Sequence, residues 1–159
     1  MIKQMTTLLR VKQLKEEQAF RAVNAKRAQV AAAKTELEAA RRLVAESAAT
    51  LPMRENAIWA EIMLKVIDLG DVDTVKGRVV ALEREHEKLV NAAERAAHVL
   101  ARLETELSEA VEAHRQAMKN RDKYVELTDQ MKTEHAALVE FKEEAEVEDL
   151  FSTRRKRTA

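Results

Sequence analysis

Apolar residues recur at intervals of seven along most of this chain. The first series is Leu9, Val23, Val30, Leu37, Val44, Leu51 and Ile58, with Glu16 as its one polar exception. The second series is Val75, Leu82, Leu89, Ala96, Leu103, Ala110, Ala117, Tyr124, Met131, Leu138 and Ala145. Strict sevens over such a length predict two α-helices that wind around each other with a left-handed supercoil.

The residues that break helices lie near the middle of the chain, between the two series. Turn-forming Gly70 is surrounded by aspartates, of which Asp71 or Asp73 is the predicted N-cap of a following helix. We therefore predict an all-α fold and a single domain, a long two-helix antiparallel coiled-coil hairpin. Its first arm runs from about 3 to 68, its turn from about 69 to 74 and its second arm from about 75 to 148, with a flexible basic tail at 150–159. Folding about position 70 places Leu37 opposite Leu103.

The segment from Pro52 to the predicted turn forms the tip of the hairpin. Pro52 is the only proline, and it predicts either the start of a new helical segment after Ser47 or Thr50 or a kink in a continuous helix. The residues that follow form an apolar stripe wider than a two-helix seam requires: Ile58, Trp59, Ile62, Met63, Val66 and Ile67. Two interpretations are equally supported. The stripe caps the seam at the turn, or it is a patch on which a partner docks.

Composition agrees with long helices and restricts the function classes. Aromatic residues make up only 3% of the chain and charged residues 35%, which is typical of coiled coils. The 28 basic and 28 acidic residues balance, so the whole chain has no strong attraction to nucleic acid or anionic lipid. Without cysteine, signal peptide or transmembrane run, the sequence indicates a cytoplasmic protein.

The sequence contains no motif for catalysis and none for a cofactor or metal, so we expect a protein that is not an enzyme. Three histidines, His86, His114 and His135, follow seam positions of the second arm. His86 and His114 are separated by about 42 Å of helix, so they cannot share one ion. We interpret the three as polar seam residues that set the register, with pH sensing as the alternative.

The C-terminal residues combine opposite charges with two large apolar side chains. An acidic run at 143–149 precedes Leu150 and Phe151, and a basic cluster at 154–157 follows them. Three interpretations stay open: a solvated tail, a surface for an acidic protein partner, or a site for nucleic acid or membrane.

Several segments, in their order along the chain, resemble one known family. They are LLRVKQLKEEQA, LPMRENAIWAEIMLKVIDLGDVDTV with the heptads after it, NRDKYVELTDQM and KEEAEVEDLF. Together they resemble the YscO/FliJ family of type III secretion stalk proteins, closest to the YscO branch of virulence or symbiosis injectisomes. The resemblance implies an antiparallel coiled coil similar to the γ stalk of rotary ATPases. Flagellar members tend to carry aromatics on the stretch that contacts the export gate, where this chain offers only Trp59.

The resemblance also implies partners and contact residues. The chain would link the hexameric type III secretion ATPase to the cytoplasmic domain of the export gate, and would in some members bind secretion chaperones. The implied ATPase-contacting residues are Leu8, Leu9, Arg10, Lys12, Leu150, Phe151, Arg154 and Arg155. Those implied at the gate or a chaperone are Arg54, Trp59, Ile62 and Met63.

Under this assignment the protein is a monomer without nucleic-acid partners, cytoplasmic and peripheral at the inner-membrane apparatus. It reaches the membrane only indirectly. The alternative that the residues themselves leave open is a generic coiled-coil scaffold or tether with an unrelated protein partner.

Overall fold

Two long α-helices make up almost all of the structure, a computed structural model that describes residues 1–65 and 68–158. Helix α1 spans Ile2–Ala60, with 59 residues, and helix α2 spans Leu69–Thr158, with 90 residues. The described residues contain no strand. The predicted fold class, an all-α hairpin of two antiparallel helices packed against each other, is confirmed.

The seam predicted from the heptads is present in both helices. In α2 the buried and half-buried positions alternate at spacings of three and four without interruption from Val72 to Met131. In α1 the same alternation runs from Ile2 to Leu51. The step of four from Ser47 to Leu51 is followed by a second step of four, from Leu51 to Glu55, which passes Pro52. Such an eleven-residue step locally unwinds a left-handed supercoil.

The helices form two compact units, and the first of them comprises residues Asn24–Glu109. Its core cluster consists of Val30, Ala33 and Leu103, with Leu100 and Leu107 packed against it. Contacts across this unit show that the helices are antiparallel, because residue numbers rise on the first segment as those of their partners fall on α2. Lys26 contacts Glu106, Ser47 contacts His86, and Glu61 contacts Arg78.

This cluster corrects the predicted register. Leu103 packs with Val30, whereas Leu37 is buried outside that cluster. The shift from Leu37 to Val30 is one heptad. A slide of seven residues returns every seam residue to a seam position, so the heptad pattern alone cannot distinguish the two registers. The chain reverses earlier than position 70, and the pairing moves with it.

The second compact unit comprises Met1–Val23 and Ala110–Ala159. Val23 and Thr128 are its most buried side chains, with 3% and 2% of their surface exposed. After Met131 every described side chain of α2 is exposed, through Arg157. We call residues 132–157 the C-terminal extension. The predicted flexible tail is helical as far as Thr158, and the basic residues of its last turn are favourable at a helix C-terminus.

The predicted turn at 69–74 is also wrong, because α2 already begins at Leu69. Asp68 caps it, since its Oδ1 accepts a hydrogen bond from the Asp71 N–H at 2.9 Å. Asp71 Oδ2 lies 3.3 Å from the Asp68 nitrogen, which completes a reciprocal capping box. The aspartate at 68 is therefore the N-cap, rather than Asp71 or Asp73, and Gly70 lies within the first helical turn.

Pro52 lies inside α1 and does not divide it. A proline here removes one backbone donor and crowds the preceding turn. Nearby, the Thr50 hydroxyl donates to the Glu46 carbonyl at 3.0 Å. Of the two alternatives for Pro52, the start of a separate helix is wrong, and α1 passes through the proline.

We predict that Leu103→Ala destabilises the fold through the core cluster. Removing a buried leucine side chain costs about 2–5 kcal/mol when the site cannot collapse, and the lower half of that range suits an open two-helix seam. The measurement is urea denaturation followed by circular dichroism. The control is Leu127→Ala in the same helix, where the leucine is 43% exposed. Equal losses of unfolding free energy in both variants would contradict this position of the core.

Candidate functional site

The seam of the unit formed by Met1–Val23 and Ala110–Ala159 contains a polar cluster. Glu16, the polar exception in the first heptad series, has only 16% of its side chain exposed. Its Oε1 accepts a hydrogen bond from Nε2 of His114 at 2.9 Å, and its Oε2 lies 3.4 Å from a guanidinium nitrogen of Arg121. Because a carboxylate can only accept, His114 carries a proton on Nε2.

Aromatic rings flank this polar cluster. The ring of Phe20 lies 5.5 Å from that of His114, centroid to centroid, at an angle of 45°. The ammonium of Lys12 sits 5.1 Å from the centroid of the Tyr124 ring, within range of a cation–π interaction. The predicted role of His114 as a polar residue in the seam therefore has a structural basis, and its partner is Glu16.

A second polar cluster lies in the unit Asn24–Glu109, beside Pro52. Ser47 is buried, with 7% of its surface exposed. Its Oγ accepts a hydrogen bond from the Arg54 guanidinium at 3.2 Å and lies 2.8 Å from Nδ1 of His86. With Arg54 as its donor, the serine hydroxyl can give its own proton to His86. Arg54, implied at the gate by the resemblance, is thus held against α1 by Ser47.

Two ion pairs cross this unit, an exposed one between Glu61 and Arg78 and a half-buried one between Lys26 and Glu106. Hydrogen bonding and charge from Arg78 lower the pKa of Glu61 below its ordinary value, and the same pair raises the pKa of Arg78. Lys26 donates to Glu106 at 2.6 Å, and this hydrogen bond lowers the pKa of Glu106. Ion pairs that stay in contact with water contribute little to stability, but they distinguish one register from another.

The tip stripe divides into half-buried and exposed members. Trp59 and Ile62 are half-buried, while Met63 is 79% exposed. Val66 and Ile67 lie outside the described residues. Leu64 and Leu69, which are not part of the predicted stripe, are 97% and 85% exposed. Leu64 does not share the helical spacing of the stripe, so periodicity could not identify it. Its one signal in the sequence is that it directly follows Met63.

The structure does not bring the two implied groups of ATPase-contacting residues together. Lys12 lies over Tyr124, and Leu150 follows Tyr124 by 26 residues, or about 39 Å of helix. The two groups therefore lie apart along the helices. Helix α2 simply continues past the beginning of α1.

The members of each group differ in exposure. In the first group Leu8 and Arg10 are exposed, while Leu9 and Lys12 are half-buried. In the second group all four are exposed: Leu150, Phe151, Arg154 and Arg155. The extension carries further exposed apolar residues, among them Leu138, at 59%, and Phe141, at 70%.

These two apolar sets lie on different faces of the C-terminal extension. At 100° per residue, Leu138 and Phe141 lie on the side that continues the seam, whereas Val147, Leu150 and Phe151 lie roughly opposite. The second set lines a shallow depression together with Thr153, Arg154 and Arg157. The extension thus presents two surfaces of different composition.

Within residues 1–65 and 68–158, no group of three or more histidine, aspartate or glutamate side chains is placed to hold a metal ion. In the same part of the chain, neither helix has an apolar stretch long enough to cross a membrane. What the structure offers is helical surface, with apolar and charged side chains exposed at the tip and along the extension.

These features define a class of protein, the antiparallel coiled-coil hairpin with exposed helical ends. The sequence profile of the YscO type III secretion proteins matches residues 5–153. This chain belongs to the YscO family of type III secretion proteins. A 2.8 Å crystal structure of the type III secretion protein YscO from Vibrio parahaemolyticus is similar, with a TM-score of 0.89 and 24% sequence identity over 93% of each chain. No curated protein sequence gave a significant match.

We predict that Glu16 stabilises the N-terminal seam by accepting from two donors. Glu16→Ala leaves His114 and Arg121 without this acceptor and lowers the unfolding free energy by about 1–3 kcal/mol. The control is Glu17→Ala, at an exposed position on the same helix. Replacing both Glu16 and His114 by leucine restores stability to at least the wild-type value, because an apolar pair needs no polar partner. Equal effects of the Glu16 and Glu17 variants in urea denaturation would refute this role.

Proposed function

We propose that this chain is the central stalk and escort component of a type III secretion system. It links the hexameric secretion ATPase to the cytoplasmic domain of the export gate, and secretion chaperones are further candidate partners. The role needs no catalysis and no cofactor. The protein would work as a cytoplasmic monomer, peripheral at the inner-membrane apparatus. The observation that carries the proposal is a coiled-coil hairpin of the YscO family whose longer helix has an uncovered, amphipathic C-terminal extension.

A coiled coil suits a place at the centre of a ring. Its seam is internal, with Val30, Ala33 and Leu103 packed between the helices, so the outer surface is free to contact a partner. A single chain cannot match six identical subunits at once. Its contacts with a hexamer are therefore asymmetric and individually weak, which suits the charged and partly apolar surface of the extension.

The implied ATPase-contacting residues differ in exposure, and we rank them as contact candidates by how exposed they are. Leu150, Phe151, Arg154 and Arg155 lie on the uncovered extension, so we assign the main contact to them. Leu8 and Arg10 are exposed and form a second, separate contact. Leu9 is half-buried in the seam, and Lys12 is held over Tyr124, so both contribute less.

At the tip, the exposed residues are the better candidates for a gate or chaperone contact. Met63 offers a flexible apolar side chain, and Leu64 extends the same surface. Trp59 and Ile62 are half-buried and position this surface. Arg54 donates to Ser47, so it is less available for such a contact.

We predict that the apolar face of the extension is required for action on the ATPase. Wild-type protein raises ATP hydrolysis and hexamer formation by the purified cognate secretion ATPase. Leu150→Ala with Phe151→Ala reduces both effects at least about tenfold, since each exposed anchor that is buried on binding contributes more than 1 kcal/mol.

The matched control is Leu138→Ala with Phe141→Ala, which removes the same residue types from the opposite face of the extension. This variant retains full stimulation. If the wild-type chain leaves hydrolysis and assembly unchanged over a range of salt concentrations, the stalk assignment is wrong and a tether for an unrelated partner takes its place. If both double variants lose stimulation equally, the assignment of the face is wrong.

We predict separate effects for the two kinds of tip residue. Met63→Ser with Leu64→Ser weakens binding to the purified cytoplasmic domain of the export gate and leaves the melting temperature unchanged, because both side chains are exposed. Trp59→Ala lowers the melting temperature, because its ring is half-buried. Binding is measured by calorimetry and melting by circular dichroism. Intact binding of the serine variant would remove the tip from the proposed gate contact.

A further inference from the structure

One row of residues along the C-terminal extension has an ordered sequence of charges. The row follows the alternating spacing of four and three that keeps side chains on one helix face. Its members are Glu140, Glu143, Val147, Leu150, Arg154 and Arg157. All six belong to α2, and all six are exposed. Along the helix the face is therefore acidic in its first third, apolar in the middle and basic in its last third.

This order is complementary to itself when two copies run antiparallel. Glu140 of one copy faces Arg157 of the other, Glu143 faces Arg154, and Val147 faces Leu150. Residues 140, 147 and 154 share one heptad position, and 143, 150 and 157 share the other. Each layer pairs a residue at one position with a residue at the other, as antiparallel coiled coils require. The two-fold axis repeats every pair, so two apolar layers lie between four opposite-charge layers. In a parallel pairing the same face would set glutamate against glutamate and arginine against arginine.

We propose that the occupant of this face is the extension of a second copy of the chain. Two extensions pair antiparallel over residues 140–157 and form a two-fold symmetric coiled coil. Phe151 lies next to Leu150 on the same side and extends the apolar centre. An isologous contact of this kind is closed, so association stops at the dimer and does not produce a filament.

The position of the extension leaves room for the partner. The covered seam of α2 ends at Met131. In the proposed register, residues 140–157 of one copy face residues 157–140 of the other, and all of them follow Met131 and are exposed. The paired segments therefore meet only uncovered helix.

The paired segment is short, so the dimer is weak. Eighteen residues of helix extend over about 27 Å, and most of the charge layers stay in contact with water. Exposed charge pairs are screened by salt, so association weakens as ionic strength rises. The dimer covers Leu150 and Phe151, the residues that the proposed function assigns to the ATPase. Dimerisation and ATPase binding would then exclude each other. This consequence alone rests on the proposed function.

The test uses two full-length charge variants in analytical ultracentrifugation over a range of concentrations. Glu140→Arg with Glu143→Arg makes the row basic at both ends, and Arg154→Glu with Arg157→Glu makes it acidic at both ends. Each variant alone dimerises at least about tenfold more weakly than wild type, because four attractive pairs become repulsive. A 1:1 mixture of the two variants restores association, because every pair is then opposite in charge.

The matched controls change equal numbers of charges on the other side of the same helix. Glu148→Arg with Asp149→Arg, and Arg155→Glu with Lys156→Glu, each dimerise as wild type does. No ATPase is present, so the result does not depend on the proposed function. A wild-type chain that stays monomeric at all concentrations overturns the proposal. So does equal weakening by the control variants, or a mixture that fails to associate.

The orientation has its own test, because the chain contains no cysteine. Val147→Cys and Leu150→Cys are prepared as separate single-cysteine proteins and then mixed under mild oxidation. Antiparallel pairing gives the mixed disulfide between the two variants in preference to either homodimer. Homodimeric disulfides in excess of the mixed product indicate a parallel pairing and contradict the proposed arrangement.

Discussion

The structure depends on a shared seam between two helices of unequal length. A seam side chain is buried only where the other helix lies opposite, and α1 has 59 residues against 90 in α2. The seam of α2 consequently ends at Met131, although the heptad series continues in sequence through Leu138 and Ala145. The inequality leaves the side chains of residues 132–157 exposed, with no described part of α1 packed over them.

The two compact units use the seam differently. In the unit Asn24–Glu109 the core is apolar, with Val30 and Leu103 in one cluster. In the other unit the seam contains Glu16, His114 and the buried Thr128. Apolar layers provide most of the free energy of pairing but accept a slide of one heptad, whereas a charged residue is satisfied only opposite its own partners. Polar seam residues therefore select the register that the apolar ones stabilise.

The helices and their seam could be predicted from the sequence, because periodicity is a local property that each arm shows by itself. The register could not, since Leu103 satisfies the same pattern opposite Leu37 or Val30. The turn was misplaced for a related reason. Gly70 is a common turn residue, but Asp68 and Asp71 form a reciprocal cap that draws the glycine into the helix. Likewise, the candidate contact residues were identified by type. That Leu150 lies about 39 Å of helix beyond Tyr124, which Lys12 contacts, became visible only with the register.

In the C-terminal extension, the order of charges along the sequence differs from the order of side chains on one helix face. Along the sequence, residues 143–149 are an acidic run and 154–157 a basic one, a pattern compatible with a solvated tail. Once these residues belong to one continuous helix, only every third or fourth of them shares a face, and Val147 and Leu150 lie between the charges on that face. Contacts made from such exposed charges and a few apolar side chains are each weak. A surface of this kind can exchange one partner for another, as the proposed stalk role would require.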